Sequence, residues 1–150
     1  MERHQGKNLG SVKQILIIPL GDITIPSGRI LLFNQIAIAQ GKGWTTVPFT
    51  LETGSCTDSR KNSKAGDFYE KEVIFSIPAI RNEISEEIAL FSGKRVAALV
   101  TDMNDHTRLF YPLRMEYAAE VPPEVSGYNG YRITLRGSSA FESPSVTMPS

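Results

Sequence analysis

The chain has 150 residues, 41% hydrophobic and 21% charged, an ordinary globular composition with enough length for one core. Sixteen Lys and Arg balance sixteen Asp and Glu, so no global field favours nucleic acid, whose binding rests on neutralising phosphates, and no net charge holds copies apart. Cys56 is the single cysteine, which excludes an intrachain disulfide and fits a cytoplasmic or assembly-bound protein better than a disulfide-stapled secreted scaffold.

Residues 1–11 are polar, contain glycine and show no periodicity, the pattern of a flexible N-terminal arm. Residues 12–20 are apolar and β-branched with Pro19 near the end, which predicts a strand whose proline suits an edge position. Their apolar core, ILIIPL, is too short for a signal-peptide core and has no small-residue cleavage pattern after it. Turn signals follow at Gly21-Asp22 and Pro26-Ser27-Gly28. RILLFNQIAIA (29–39) reads as a strand or a buried helix, and its β-branched content and flanking glycines favour the strand. Gly41-Lys42-Gly43 reads as a hairpin turn rather than a phosphate cradle, and residues 44–52 as a strand with an edge or bulge at Pro48.

GSCTDSRKNSKAG (54–66) is small, polar and charged, and predicts a long surface loop. Cys56 then becomes a loop residue between Ser55 and Thr57. In DFYEKEVIFSI (67–77), Tyr69, Val73, Phe75 and Ile77 share one face that Lys71 interrupts, the pattern of a half-buried strand. One good helix follows at about residues 80–92. Ile80, Ile84, Ile88 and Phe91 take one face with Leu90 beside them, Arg81, Glu83, Glu86 and Glu87 take the other, and Gly93 stands at the C-terminal cap position. The carboxylates form a solvated face near the positive end of the helix dipole.

VAALV (96–100) predicts a central strand buried on both faces. Along 109–117, Leu109, Tyr111, Leu113, Met115 and Tyr117 alternate inward against Arg108, Arg114 and Glu116. Tyr131, Ile133 and Leu135 alternate in the same way with Arg132, Thr134 and Arg136. Residues 121–130 form a linker that Pro122 and Pro123 keep from being helical. The expected organisation is a flexible arm (1–11), a single β-rich domain (12–137) with a long loop at 54–66, and a loose C-terminal tail (138–150). The fold class is mainly β, a sandwich or barrel with one helix.

Catalytic vocabulary is sparse. The histidines are His4 in the arm and His106 in a turn, and no zinc spacing, G-x-S-x-G or Walker pattern occurs. Asp102-Met103-Asn104-Asp105 begins like a calcium loop. The sixth position, where the loop needs glycine, is Thr107, and the twelfth, where it needs Glu, is Leu113. A tight turn bonded by Asx side chains explains it better. Arg114, Arg132 and Arg136 with Tyr128 and Tyr131 have the makings of a single-strand-binding face, but alternating Arg on a solvent-facing strand of a neutral chain is the simpler explanation. The expectation is a protein that is not an enzyme, with no catalytic, cofactor-binding or metal residues and no cofactor. No run approaches the ~18 apolar residues that span a membrane.

The stretch 68–144 resembles a family of small structural proteins from the tail-gene region of phages and prophages of Bacteroidetes hosts. The resemblance rests on FYEKEVIFSIP, the helix RNEISEEIALFSG, the strand and turn KRVAALVTDMND, the strand RLFYPLRMEY and the segment GYRITLRGSSAFESP. One departure is Asp105, where the family usually has the glycine of the turn. The resemblance implies a tail-tube-like or tail-completion β-sandwich or barrel, a virion protein assembled in the bacterial host cytoplasm. It implies rings of identical copies, neighbouring phage structural proteins as partners, and DNA only as non-specific passage through a lumen. The arm, the 54–66 loop and the tail would reach neighbouring subunits. The rival expectation is a carbohydrate- or protein-binding β-sandwich with Trp44 and Tyr128 or Tyr131 as stacking residues.

Overall fold

The computed structural model describes residues 11–49, 53–78, 82–121, 123 and 130–149. The arm proper, 1–10, the start of the helical segment, 79–81, and most of the 121–130 linker lie outside the described residues. In chain order the elements are β1 (Val12–Pro19), β2 (Ile23–Thr24), β3 (Ile30–Leu32), β4 (Ala37–Ile38), β5 (Thr45–Thr46), β6 (Ser55–Ser63), β7 (Gly66–Pro78), α1 (Asn82–Phe91), β8 (Arg95–Asp102), β9 (Thr107–Glu120), β10 (Gly130–Ser139) and β11 (Ser145–Thr147). The fold is mainly β. Nine of the described strands form one sheet in the order β5-β1-β8-β9-β10-β7-β6, with β11 beside β9 and β3 beside β11, while β2 and β4 pair separately. Every pairing is antiparallel except that of β3 with β11.

The sheet is strongly curled. Gly54, just before β6, is so close to β1 and Phe49 that a side chain there would meet Val12 Cβ and the Phe49 ring at 3.1 Å. Yet β1 and β6 stand near opposite ends of the strand order. The concave face holds the larger core cluster, including Ile15, Ile17, Val73, Phe75, Phe110, Leu113, Ile133 and Leu135. Helix α1 contributes Ile88 and Phe91 to this cluster, and Ser85 Oγ is hydrogen-bonded to Tyr131 OH. Gly93 has φ 78°, the left-handed geometry of a helix C-cap.

A second cluster lies on the other face, where Ile18, Leu31, Ile36, Ala97, Leu99, Leu109 and Val146 pack together. Strand β8 feeds both clusters, Val96, Ala98 and Val100 into the first and Ala97 and Leu99 into the second. Its unbroken apolar run requires that placement.

Four expectations are corrected. Residues 54–66 are not a loop: β6 pairs with β7 from Ser55 opposite Ile74 to Ser63 opposite Gly66. The composition has weak strand preference, and the nine-residue template of β7 imposes the conformation. The tail after Gly137 is not loose either. Strand β10 continues to Ser139, residues 140–144 cross over, and β11 returns to fill the edge of β9 that β10 leaves open. Segment 29–39 is two short strands split by a single 3₁₀ turn at Phe33–Gln35, so that Leu31 and Ile36 both point into the second cluster. In the 44–52 segment only Thr45–Thr46 is strand among the described residues.

The alternation in β9 also breaks. Leu109 belongs to the second cluster, but Phe110 and Leu113 belong to the first. The register with β8 shifts between Val96 and Ala98, and a shift of one residue exchanges the faces. Tyr117, expected inward, is 48% exposed.

Candidate functional site

The one buried ionic centre among the described residues is built by β-sheet register. Lys71 interrupts the apolar face of β7, and register places Asp58 of β6 directly opposite it. The two side chains are 1% and 3% exposed, with Lys71 Nζ 3.5 Å from Asp58 Oδ2. The same ammonium donates to Phe141 O and to Ser143 Oγ, both at 2.8 Å. Ser143 N in turn donates to Asp58 Oδ2 at 2.7 Å. The Tyr69 ring lies 5.8 Å below the ammonium, near enough for a cation–π contact. Asp58 Oδ1 is buried without a hydrogen-bond partner.

Burial pulls the Lys71 pKa below the ordinary lysine value, and the Asp58 carboxylate opposes that pull. A lysine of lowered pKa beside a serine hydroxyl contains the parts of a nucleophilic dyad. The geometry favours a different role. All three ammonium protons have acceptors, and neither side chain reaches solvent, so the cluster holds the crossover 140–144 against the β6–β7 hairpin.

An aromatic-lined cavity of about 320 Å³ opens beside that crossover, between Arg29, Tyr69, Tyr111, Phe141 and Glu142. Phe141 is 72% exposed at its rim, and burial raises the Tyr111 pKa above the ordinary tyrosine value. On the opposite side of the sheet, Arg136 is bonded to Glu72 at 2.8 Å and lies 4.0 Å from Glu116. The arginine stripe is therefore interleaved with carboxylates, which removes the excess positive field that phosphate binding needs.

The distal part of the β6–β7 hairpin is largely exposed. Strand β10 accompanies β7 only as far as Tyr69. Beyond it, three residue pairs, Lys61 with Phe68, Asn62 with Asp67 and Ser63 with Gly66, stand out as a two-stranded ribbon. They extend about 10 Å at ~3.3 Å per residue. Residues 59–67 are all exposed, and the outer edge of β6 has no strand beside it among the described residues.

Residues singled out in the sequence are dispersed. Cys56 lies in β6, half-buried against the larger core, and desolvation leads nearby charges in raising its pKa above 9.0. Trp44 packs beside Phe33 in the second cluster with a buried, unpartnered indole nitrogen. Tyr131 is a core residue, and Tyr128 and His4 lie outside the described residues. The Asp102 carboxylate accepts from the Asn104 and His106 backbone N–H groups at 2.9 and 3.0 Å, and Asp105 takes φ 61°, so the turn is an Asx-bonded hairpin. His106 is exposed and contacts Ser145 Oγ at 3.2 Å. Among the described residues no group of three or more His, Cys, Asp or Glu side chains is placed to hold a metal.

Sequence reasoning missed the Asp58–Lys71–Ser143 cluster. Its one visible signal was a lysine on an otherwise apolar strand face. No protein-family model, no curated protein and no solved structure matches the chain.

Proposed function

We propose that the protein is a structural subunit that assembles with copies of itself into rings, in the tail tube or the tail and neck region of a tailed phage. The observation that carries this reading is the β6–β7 hairpin, whose nine-residue strand β6 has no strand on its outer edge among the described residues and whose residues 59–67 are all exposed. A free edge of that length is a template for another chain. A two-stranded ribbon is marginal by itself in water, and a neighbouring subunit would supply the support that the described residues do not. Sheet edges of neighbouring protomers would pair or abut around an axis, a heterologous contact that closes by rotation. The phage setting comes from the resemblance of residues 68–144, and the neutral composition suits a lumen that passes DNA without retaining it.

The test is the mass of the purified protein by sedimentation velocity across a wide concentration range, with negative-stain microscopy of the largest species. Closed rings support the proposal. A strict monomer at the highest concentration refutes it.

A further inference from the structure

The hairpin tip carries Arg60, Lys61 and Lys64 within five positions, all exposed. Arg60 is paired with Asp67, whereas Lys61 and Lys64 have no ion-pair or hydrogen-bond partner among the described residues. A neutral chain with a local excess of cations must carry an excess of anions elsewhere. Three such anions lie together on α1. Glu83, Glu86 and Glu87 are exposed and fall at helical i, i+3, i+4 spacing, and none has a partner among the described residues. Leu90, expected beside the apolar face, instead continues the acidic stripe and is 63% exposed, because its i, i+3, i+4 spacing follows Glu83, Glu86 and Glu87.

The two surfaces are complementary in charge and in form. The ribbon is narrow and basic, with long lysine stems that can lie along apolar surface while their ammonium groups stay wet. The helix face is acidic with an apolar end. Among the described residues no ion pair joins them. We propose that the tip of the β6–β7 ribbon docks on the Glu83–Leu90 stripe of α1 in a second copy. This deepens the assembly reading above and rests on it: two different surfaces meet, so the contact is heterologous and propagates from copy to copy.

Sedimentation velocity of three proteins and one mixture at low and high salt tests it. Lys61→Glu with Lys64→Glu weakens self-association by about tenfold or more, since two attractions become repulsions. Glu83→Lys with Glu86→Lys and Glu87→Lys weakens it comparably. An equimolar mixture of the two variants regains association, because each tip then meets a helix of opposite charge, and high salt weakens the wild-type contact. All five positions are exposed, and unchanged circular dichroism confirms that the variants fold. If the wild type assembles but neither variant nor salt changes the distribution, the docking proposal is overturned while the assembly reading stands. If both variants weaken association and the mixture does not recover, charge complementarity is overturned. A wild type that stays monomeric overturns both.

Discussion

Replacing Lys71 with Met should be among the most damaging single changes in the molecule. Methionine fills a similar volume, so the effect isolates the charge. Three acceptors lose their donor at once: Asp58 Oδ2, Phe141 O and Ser143 Oγ. Asp58 is left as a buried carboxylate, 3% exposed, with Ser143 N as its remaining donor. Its other oxygen has no partner even in the wild type. Breaking a buried pair from one side costs about 3–5 kcal/mol, and at this burial no discount for solvent screening applies. With about 4 kcal/mol lost and a urea slope of about 2 kcal/mol/M, the unfolding midpoint should fall by about 2 M. The assay is urea denaturation followed by tryptophan fluorescence, at one fixed protein concentration so that association does not enter. The companion Asp58→Leu/Lys71→Met removes both charges and should recover to within about 1–2 kcal/mol of wild type. A midpoint shift below about 0.5 M for Lys71→Met alone would refute the reasoning, because the ammonium would then not be the group that holds the crossover.

Gly137→Ala should cost about 3 kcal/mol in the same assay, since the new Cβ would lie 1.8 Å from the Pro112 carbonyl oxygen and neither backbone can yield cheaply. Asp102→Ala removes the two bonds that its carboxylate makes in the β8–β9 turn and should cost about 1–2 kcal/mol, seen as a fall of about 5 °C in Tm. The Cys56 thiol is held protonated in the folded state above its ordinary 9.0. Its contribution is therefore complete below pH 9.0 and lost as the pH rises through the folded pKa, because the unfolded chain releases the proton first. Relative to Cys56→Ala, wild-type stability should decline across that window, and native Cys56 should react with a thiol reagent more slowly than free cysteine.

Much of the fold was legible because burial follows period. The alternation in β7 and β10, the double-sided run in β8 and the helical spacing of Ile88 and Phe91 each report the surface that they cover. What stayed hidden was set by partners. SCTDSRKNS has the composition of a loop and is a strand because β7 offers it a ladder. SSAFESPSVTMP looks like a tail and is stitched in because β9 outruns β10 and its remaining edge needs a neighbour. The same non-locality hid the site. Lys71 was conspicuous on its face, but its three acceptors come from Asp58 on β6 and from Phe141 and Ser143, some 70 residues along the chain. No spacing rule links positions that are joined only by register and a crossover.

The position of the Asp58–Lys71 pair suggests why the chain buries charge where apolar residues would serve for stability. Polar β6 has no apolar face distal to Cys56, so little else fixes its pairing with β7. A slip of one residue would send Asp58 to the opposite face of the sheet from Lys71. A slip of two would leave both charges buried and apart, at a cost of several kcal/mol. The pair thus pins the register of the hairpin, and with it the place at which Arg60, Lys61 and Lys64 are presented. This separates stability from order in the Asp58→Leu/Lys71→Met variant. Its unfolding free energy should approach wild type, yet residues 55–63 should sample more than one register, visible as doubled or broadened amide resonances confined to β6 and the distal part of β7. A single sharp set of hairpin resonances in that variant would show that the backbone ladder alone sets the register, and the buried pair would then serve only to tie down the crossover.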